Sequence, residues 1–154
     1  MCLIVDTNVA HRDDTDFKDV HARLFAVKKP TAAMVYGGRL AREYAGNHSI
    51  RRVVLALERN GAAIRVSDNV VERETAWAVN SGLCSSDDPH IIGLARAANV
   101  RLLCSHDREL HTDFTNGALL SNPRGKVYQT RRHRPLLREF CGSLDPDSAR
   151  RRHR

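Results

Sequence analysis

This sequence has no apolar run approaching the ~20 residues of a membrane-spanning helix. Its start lacks the basic-then-apolar pattern of a signal peptide. No membrane partner and a cytoplasmic location are therefore expected. Aromatic residues are scarce, at 5%, with a single tryptophan. The four cysteines, Cys2, Cys84, Cys104 and Cys141, are scattered, with none of the paired spacings of a zinc site or a redox motif. Cys104 lies in an apolar run and reads as a small core residue. Neither a GxGxxG fingerprint nor a glycine-rich phosphate loop occurs, which argues against kinase-like nucleotide chemistry.

What the chain does have is an ordinary globular composition, 42% hydrophobic and 28% charged over 154 residues, enough for one domain with one core. Its formal net charge is +7, and that charge is unevenly placed. Residues 1–121 carry equal numbers of acids and bases, while residues 122–154 carry ten Lys and Arg against three Asp and Glu. A neutral body with a basic end suggests an anionic partner, nucleic acid first. We divide the chain into a domain over residues 1–130 and a basic C-terminal tail over 131–154. Arg131, Arg132, Arg134, Arg138, Arg150, Arg151 and Arg152 are the candidate nucleic-acid contacts, with a solvated, merely solubilising end as the bland alternative.

Cys2-Leu3-Ile4-Val5 reads as a strand buried on both faces and runs straight into Asp6-Thr7-Asn8. Phe17, Val20, Leu24 and Phe25 share one helical face, with acids at its start, Lys28-Lys29 at its end and Pro30 as the stop. Ala32–Tyr36 reads as a second strand with Gly37-Gly38 as a tight exit. A short helix then carries Leu40, Ala41, Glu43 and Tyr44, with Arg39 placed to pair with Glu43. Asn47 or Ser49 caps a helix with Ile50, Val53, Val54 and Leu57 inward, stopped at Gly61. A strand over Ala62–Val66 precedes a helix capped by Ser67 or Asp68, which carries Val70, Val71, Trp77 and Ala78, with Trp77 expected in the core. Asp88-Pro89 is a strong helix start, followed by Ile91, Ile92, Leu94, Ala95 and Ala98. Val100–Cys104 is a fourth strand ending in Ser105-His106-Asp107. A helix from Arg108 to about Phe114 contains Asp113, and Gly125–Gln129 is a fifth strand.

Strands alternating with helices at these spacings indicate an α/β fold around a parallel sheet. In such a sheet the carboxyl ends of all strands share one edge, where ligands bind. Asp6, Glu43, Asp88 and Asp107 all fall at that edge. Capping, turning or surface pairing would explain each singly. A cluster of carboxylates repels itself unless a cation neutralises it, and all-oxygen ligands suit Mg²⁺ or Mn²⁺. A cation with phosphate chemistry points to a nuclease or a phosphatase. The Asp-x-Asp of aspartyl-phosphate phosphatases is absent, since position 8 is Asn.

The ordered set of Ile4-Val5-Asp6-Thr7-Asn8, Glu43, Asp88 with its apolar helix, and Ser105-His106-Asp107 resembles the PIN-domain ribonucleases, which include the toxins of VapC-type toxin–antitoxin pairs. The resemblance covers about residues 1–130. It implies a three-layer α/β/α sandwich with a central sheet of about five strands, and metal-dependent hydrolysis of RNA by an endoribonuclease. It assigns Asp6, Glu43, Asp88 and Asp107 as catalytic and metal-binding, with Asp6 and Asp107 as direct ligands. Thr7, Asn8 and Ser105 would support those carboxylates, and Asp113 is a further supporting candidate. Asp87 competes with Asp88, and Arg108 is either a phosphate contact or solvated. His106 is either a substrate contact or, as a histidine beside a motif usually is, incidental; His90 and His111 receive no role. An antitoxin protein and a second copy of the chain are the protein partners implied. The alternatives are an inactive nucleic-acid-binding module on the same fold and a metal-dependent phosphatase.

Overall fold

The computed structural model describes residues 2–10, 17–24 and 32–138. Its elements in chain order are β1 (Cys2–Val5), α1 (Thr7–Ala10), α2 (Lys18–Leu24), β2 (Ala33–Gly37), α3 (Gly38–Ala45), α4 (His48–Arg59) and β3 (Ala63–Val66). There follow α5 (Asp68–Ser81), α6 (Pro89–Ala98), β4 (Leu102–Cys104), α7 (Arg108–Phe114), β5 (Lys126–Tyr128) and a 3₁₀ helix (Arg131–Arg138). The five strands form one sheet in the order β3-β2-β1-β4-β5, and every pairing is parallel. Helices flank the sheet as a three-layer α/β/α sandwich, as the resemblance implied.

The strand order fixes where a ligand can bind. The chain builds β1, β2 and β3 outward in one direction, then returns to add β4 and β5 on the other side of β1. The order therefore reverses between β1 and β4, and the carboxyl ends of those two strands border the crevice that such a reversal opens. Val5 pairs with Cys104 there, and Asp6 N–H donates to the Cys104 carbonyl at 2.9 Å.

Leu3, Ile4, Leu103 and Cys104 are buried completely, as expected of continuous apolar strands between helical layers. Phe17, Val20, Leu24, Ile50, Val54, Leu57, Ile91, Ile92, Leu94 and Ala95 supply the helical side of the core. Phe25, Lys28, Lys29 and Pro30 lie outside the described residues. Asn47 is the cap of α4, its Oδ1 accepting the Ile50 N–H at 3.1 Å. Gly93 has a packing reason to interrupt α6, because a Cβ there would stand 2.1 Å from Thr75 Oγ1 of α5. Those two helices thus touch backbone to side chain.

Trp77 is not in the core: it is 40% exposed, with the Arg96 guanidinium 3.5 Å above its ring. Weak amphipathicity in α5 explains the difference, since only Val71 and Ala78 of that helix are buried. Arg96 is held in turn by Glu74 at 2.8 Å and by the Leu119 carbonyl at 3.1 Å. The tryptophan face is therefore covered by a fixed cation and not by the core.

The folded body extends past residue 130. Leu137 is buried, its carbonyl accepts from Arg23 Nη1 at 3.0 Å, and Arg134 and Arg131 approach Asp19 at 3.0 and 3.6 Å. The first turns of the basic tail are thus docked on α2.

Candidate metal centre

Asp6 follows β1 directly and is 8% exposed, yet its carboxylate is well served. Ser105 Oγ, at the end of β4, donates to Oδ2 at 2.7 Å, and Thr7 Oγ1 stands 3.3 Å from Oδ1. Ser105 Oγ also accepts the Asp107 N–H at 3.0 Å, and Asn8 Nδ2 reaches it at 3.5 Å. The Asn8 amide oxygen takes the His106 N–H at 3.4 Å. These bonds tie the ends of β1 and β4 across the reversal point and fix the direction of Asp6.

Beneath them, buried Tyr44 donates its hydroxyl to the Val5 carbonyl. Burial, and then the nearby charge of Asp6, push that phenol well above its ordinary range, so it stays a donor. His111 supports the β4 end. Its Nδ1 accepts from Gln129 Nε2 at 2.8 Å, which leaves Nε2–H to donate to the Ser105 carbonyl at 2.6 Å.

The other acids come from helices. Asp107 caps α7, its Oδ1 accepting from Glu109 N at 2.9 Å and Leu110 N at 3.2 Å. The ordinary capping role thus holds for Asp107 and occupies one oxygen. It does not hold for Asp88, which stands at the N-cap of α6 with no side-chain cap bond. Asp88 is instead pushed from 3.8 up to about 6, by burial first and then by the charges of Asp6, Glu43 and Asp107. Three carboxylates from three other segments therefore act on one. Asp87 beside it is exposed and is not among the charges acting on Asp88.

Glu43 forms the surface pair expected of it, with Arg39 Nε 3.0 Å from Oε1. The same oxygen faces His90 Nε2 at 3.5 Å, and His90 Nδ1 lies 3.9 Å from Asp88 Oδ1. Sequence reasoning gave His90 no role. Its ring is 4% exposed, and neither nitrogen has a hydrogen-bond partner. Burial lowers its pKa against the opposing pull of Glu43. A histidine following Asp-Pro reads from sequence only as a helix residue; its position between two acids emerges when α3 and α6 pack together.

Asp113 does not join the acids. It is buried, and its two oxygens accept four bonds of 2.6–2.9 Å from the backbone and hydroxyl groups of Ser85 and Ser86. Burial would raise its pKa, but those bonds outweigh burial and hold it below 3.8. Ser86 Oγ in turn accepts the Asp88 N–H at 3.3 Å. Asp113 thus anchors the segment that delivers Asp88 to the site.

Among the tail residues, Arg131 and Arg134 are partnered by Asp19 as above, and Arg132 is exposed. The Arg138 side chain and Arg150, Arg151 and Arg152 lie outside the described residues. Arg108 is exposed at the start of α7.

The donor set is chemically suited to a hard cation: carboxylates at the sheet edge, repelling one another and backed by hydroxyl and amide groups. As placed, no three His, Cys, Asp or Glu side chains among the described residues stand close enough to enclose an ion. Glu43 is turned toward Arg39 and His90, and Asp107 toward its own helix. No family model, curated protein or solved structure matches this chain.

Proposed function

We propose that this chain is a metal-dependent endoribonuclease of PIN-like type that hydrolyses RNA phosphodiester bonds. The observation that carries the reading is the setting of Asp88: burial first, and then the charges of Asp6, Glu43 and Asp107 at the carboxyl edge of a parallel sheet, raise its pKa. Carboxylates held together at a cost to the fold are the signature of a site awaiting positive charge. Mg²⁺ or Mn²⁺ bound there would supply an activated water and offset charge on the phosphate.

The chain's own residues would divide the work. Asp6, aimed by Ser105 and Thr7, is the fixed ligand. Asp107 offers the oxygen that its capping bonds do not use. Asp88, ionised at neutral pH even with its pKa raised to about 6, would add a further carboxylate, and Glu43 would complete the shell or orient the attacking water. Exposed Arg39 and Arg108 stand on elements that bear these acids and would meet the phosphate backbone. A long polyanion would further gain from the tail arginines through counterion release, a gain unavailable to a small phosphate ester. By resemblance alone, an antitoxin protein or a second copy of the chain would be its protein partners.

One observation favours a second reading, a nucleic-acid-binding module with a degenerate metal centre: the acids do not enclose an ion as placed. Cleavage of a mixed single-stranded RNA pool with Mn²⁺, Mg²⁺ or EDTA separates the two. Metal-dependent cleavage lost in Asp6→Asn supports the nuclease. RNA binding without cleavage under any metal supports the module.

A further inference from the structure

His90 is the buried polar group that neither the core nor the four acids account for. An imidazole with neither nitrogen hydrogen-bonded in the interior is costly to the fold, and such a group calls for a reason. Its surroundings narrow the choice. Nε2 faces Glu43 Oε1 at 3.5 Å and Nδ1 faces Asp88 Oδ1 at 3.9 Å. Both carboxylates belong to the proposed metal centre, and they come from different helices.

Glu43 is approached by two nitrogens, and both lie on the same oxygen. Arg39 comes from the solvent side, with over half of its side chain exposed, and His90 comes from the interior. Oε2 then takes no hydrogen bond or ion pair among the described residues. Of the two ring nitrogens, Nε2 is the nearer to a carboxylate. At 3.5 Å that contact is just longer than a good hydrogen bond, and bonds of this kind in unloaded sites commonly tighten on loading.

We propose that His90 is a positioning residue of the metal centre: its Nε2–H clamps Glu43 Oε1 from inside and presents Oε2 to the cation, releasing Glu43 from Arg39. The inference rests on the metal-centre reading above. It adds an imidazole donor held at the edge of an all-oxygen ligand set, in the outer shell that commonly fixes carboxylate ligands.

The test is Mn²⁺ affinity of the full chain, measured by calorimetric titration, with melting temperatures recorded alongside. Gln places its amide nitrogen near the Nε2 position, whereas Asn reaches only the Nδ1 position. His90→Gln is therefore expected to bind Mn²⁺ nearly as well as the unaltered protein, while His90→Asn and His90→Phe weaken binding by ~10-fold or more. In a Glu43→Ala background, His90→Asn is expected to cost little further affinity, because its effect runs through Glu43. Equal affinities across the series overturn the proposal. So do equal losses in the Gln and Asn variants, which would show packing and not a donor at Nε2, and so does an undiminished loss in the Glu43→Ala background. Failure of the unaltered protein to bind Mn²⁺ overturns the metal-centre reading itself, an outcome distinct from the others.

Discussion

Replacing Asp88 by Asn removes the charge that the site penalises most, and it should stabilise the metal-free protein. Raising a carboxyl from 3.8 to about 6 corresponds to roughly 3 kcal/mol at ~1.4 kcal/mol per pH unit. Asp88 retains 27% of its side-chain exposure, so solvent screening reduces the usable figure to ~1–2 kcal/mol. The folded carboxyl binds its proton more tightly than the unfolded one. Stability is therefore fully present below the ordinary value, falls as pH rises from about 4 to about 6, and stays lowered above that. The Asn variant lacks that fall. It should match the parent near pH 4 and exceed it by ~1–2 kcal/mol at pH 7.5, a melting-temperature gain of about 3–6 °C for a chain of this size. Capping does not confound the comparison, since Asp88 makes no side-chain cap bond and Asn is an equally good cap residue. Scanning calorimetry at both pH values, with chelator present, reads the effect. No gain at pH 7.5, or the same gain at both pH values, would refute the reasoning that the site penalises the Asp88 charge, by burial first and by the neighbouring acids second.

Asp6→Asn, Glu43→Gln and Asp107→Asn should each lower RNA cleavage by orders of magnitude while leaving the circular dichroism spectrum unchanged; wild-type rates in the Asp6 variant would remove the assignment. Mn²⁺ should raise the melting temperature of the parent by mass action, and Asp6→Asn should lose that response; identical shifts in both would contradict Asp6 as a ligand. Asp113→Asn should destabilise by ~1–3 kcal/mol at pH 7, because an amide cannot accept all four bonds from Ser85 and Ser86. Since the Asp113 carboxyl sits below 3.8, the stability it contributes is present above that pH and is lost as pH falls through its folded value; urea titration of both proteins at pH 7 and pH 3 checks this. Truncation after Gly142 should flatten the salt dependence of RNA binding, by ~0.7 in log–log slope for each phosphate of a single strand that the arginines no longer neutralise. Single-turnover cleavage should stay nearly intact, and an unchanged slope would mean the final arginines are solvated. A cut after Thr130 is a different experiment. It strips away buried Leu137 as well, at a cost of ~1.5–3 kcal/mol.

What could be read from the sequence follows the range over which each interaction acts. Strand β1 and Asp6 were legible because a run of apolar residues ending in polar ones needs only its neighbours to be interpreted. The same holds for the Asn47 cap and the Arg39–Glu43 pair, which span three and four positions. Asp113 was not legible. Its partners Ser85 and Ser86 lie 27–28 residues away, and nothing in a helix sequence marks an acid that anchors a distant turn. Trp77 misled for a related reason: an isolated large apolar residue is assigned inward by default, and only the packed structure shows Arg96, held by Glu74, covering its face. Asp88 is the instructive case. Asp-Pro at a helix start explains itself locally so well that no function need be invoked, yet the cap bond that would justify the explanation is not made. The carboxylate makes no local bond and is instead partly buried beside the charges of Asp6, Glu43 and Asp107, neighbours that only the packed sheet and helices bring together. A local motif whose local bond goes unmade is thus a stronger pointer to a site than the motif itself. By the same logic His90, buried and unbonded one residue past that helix start, belongs with Asp88 and not with the core.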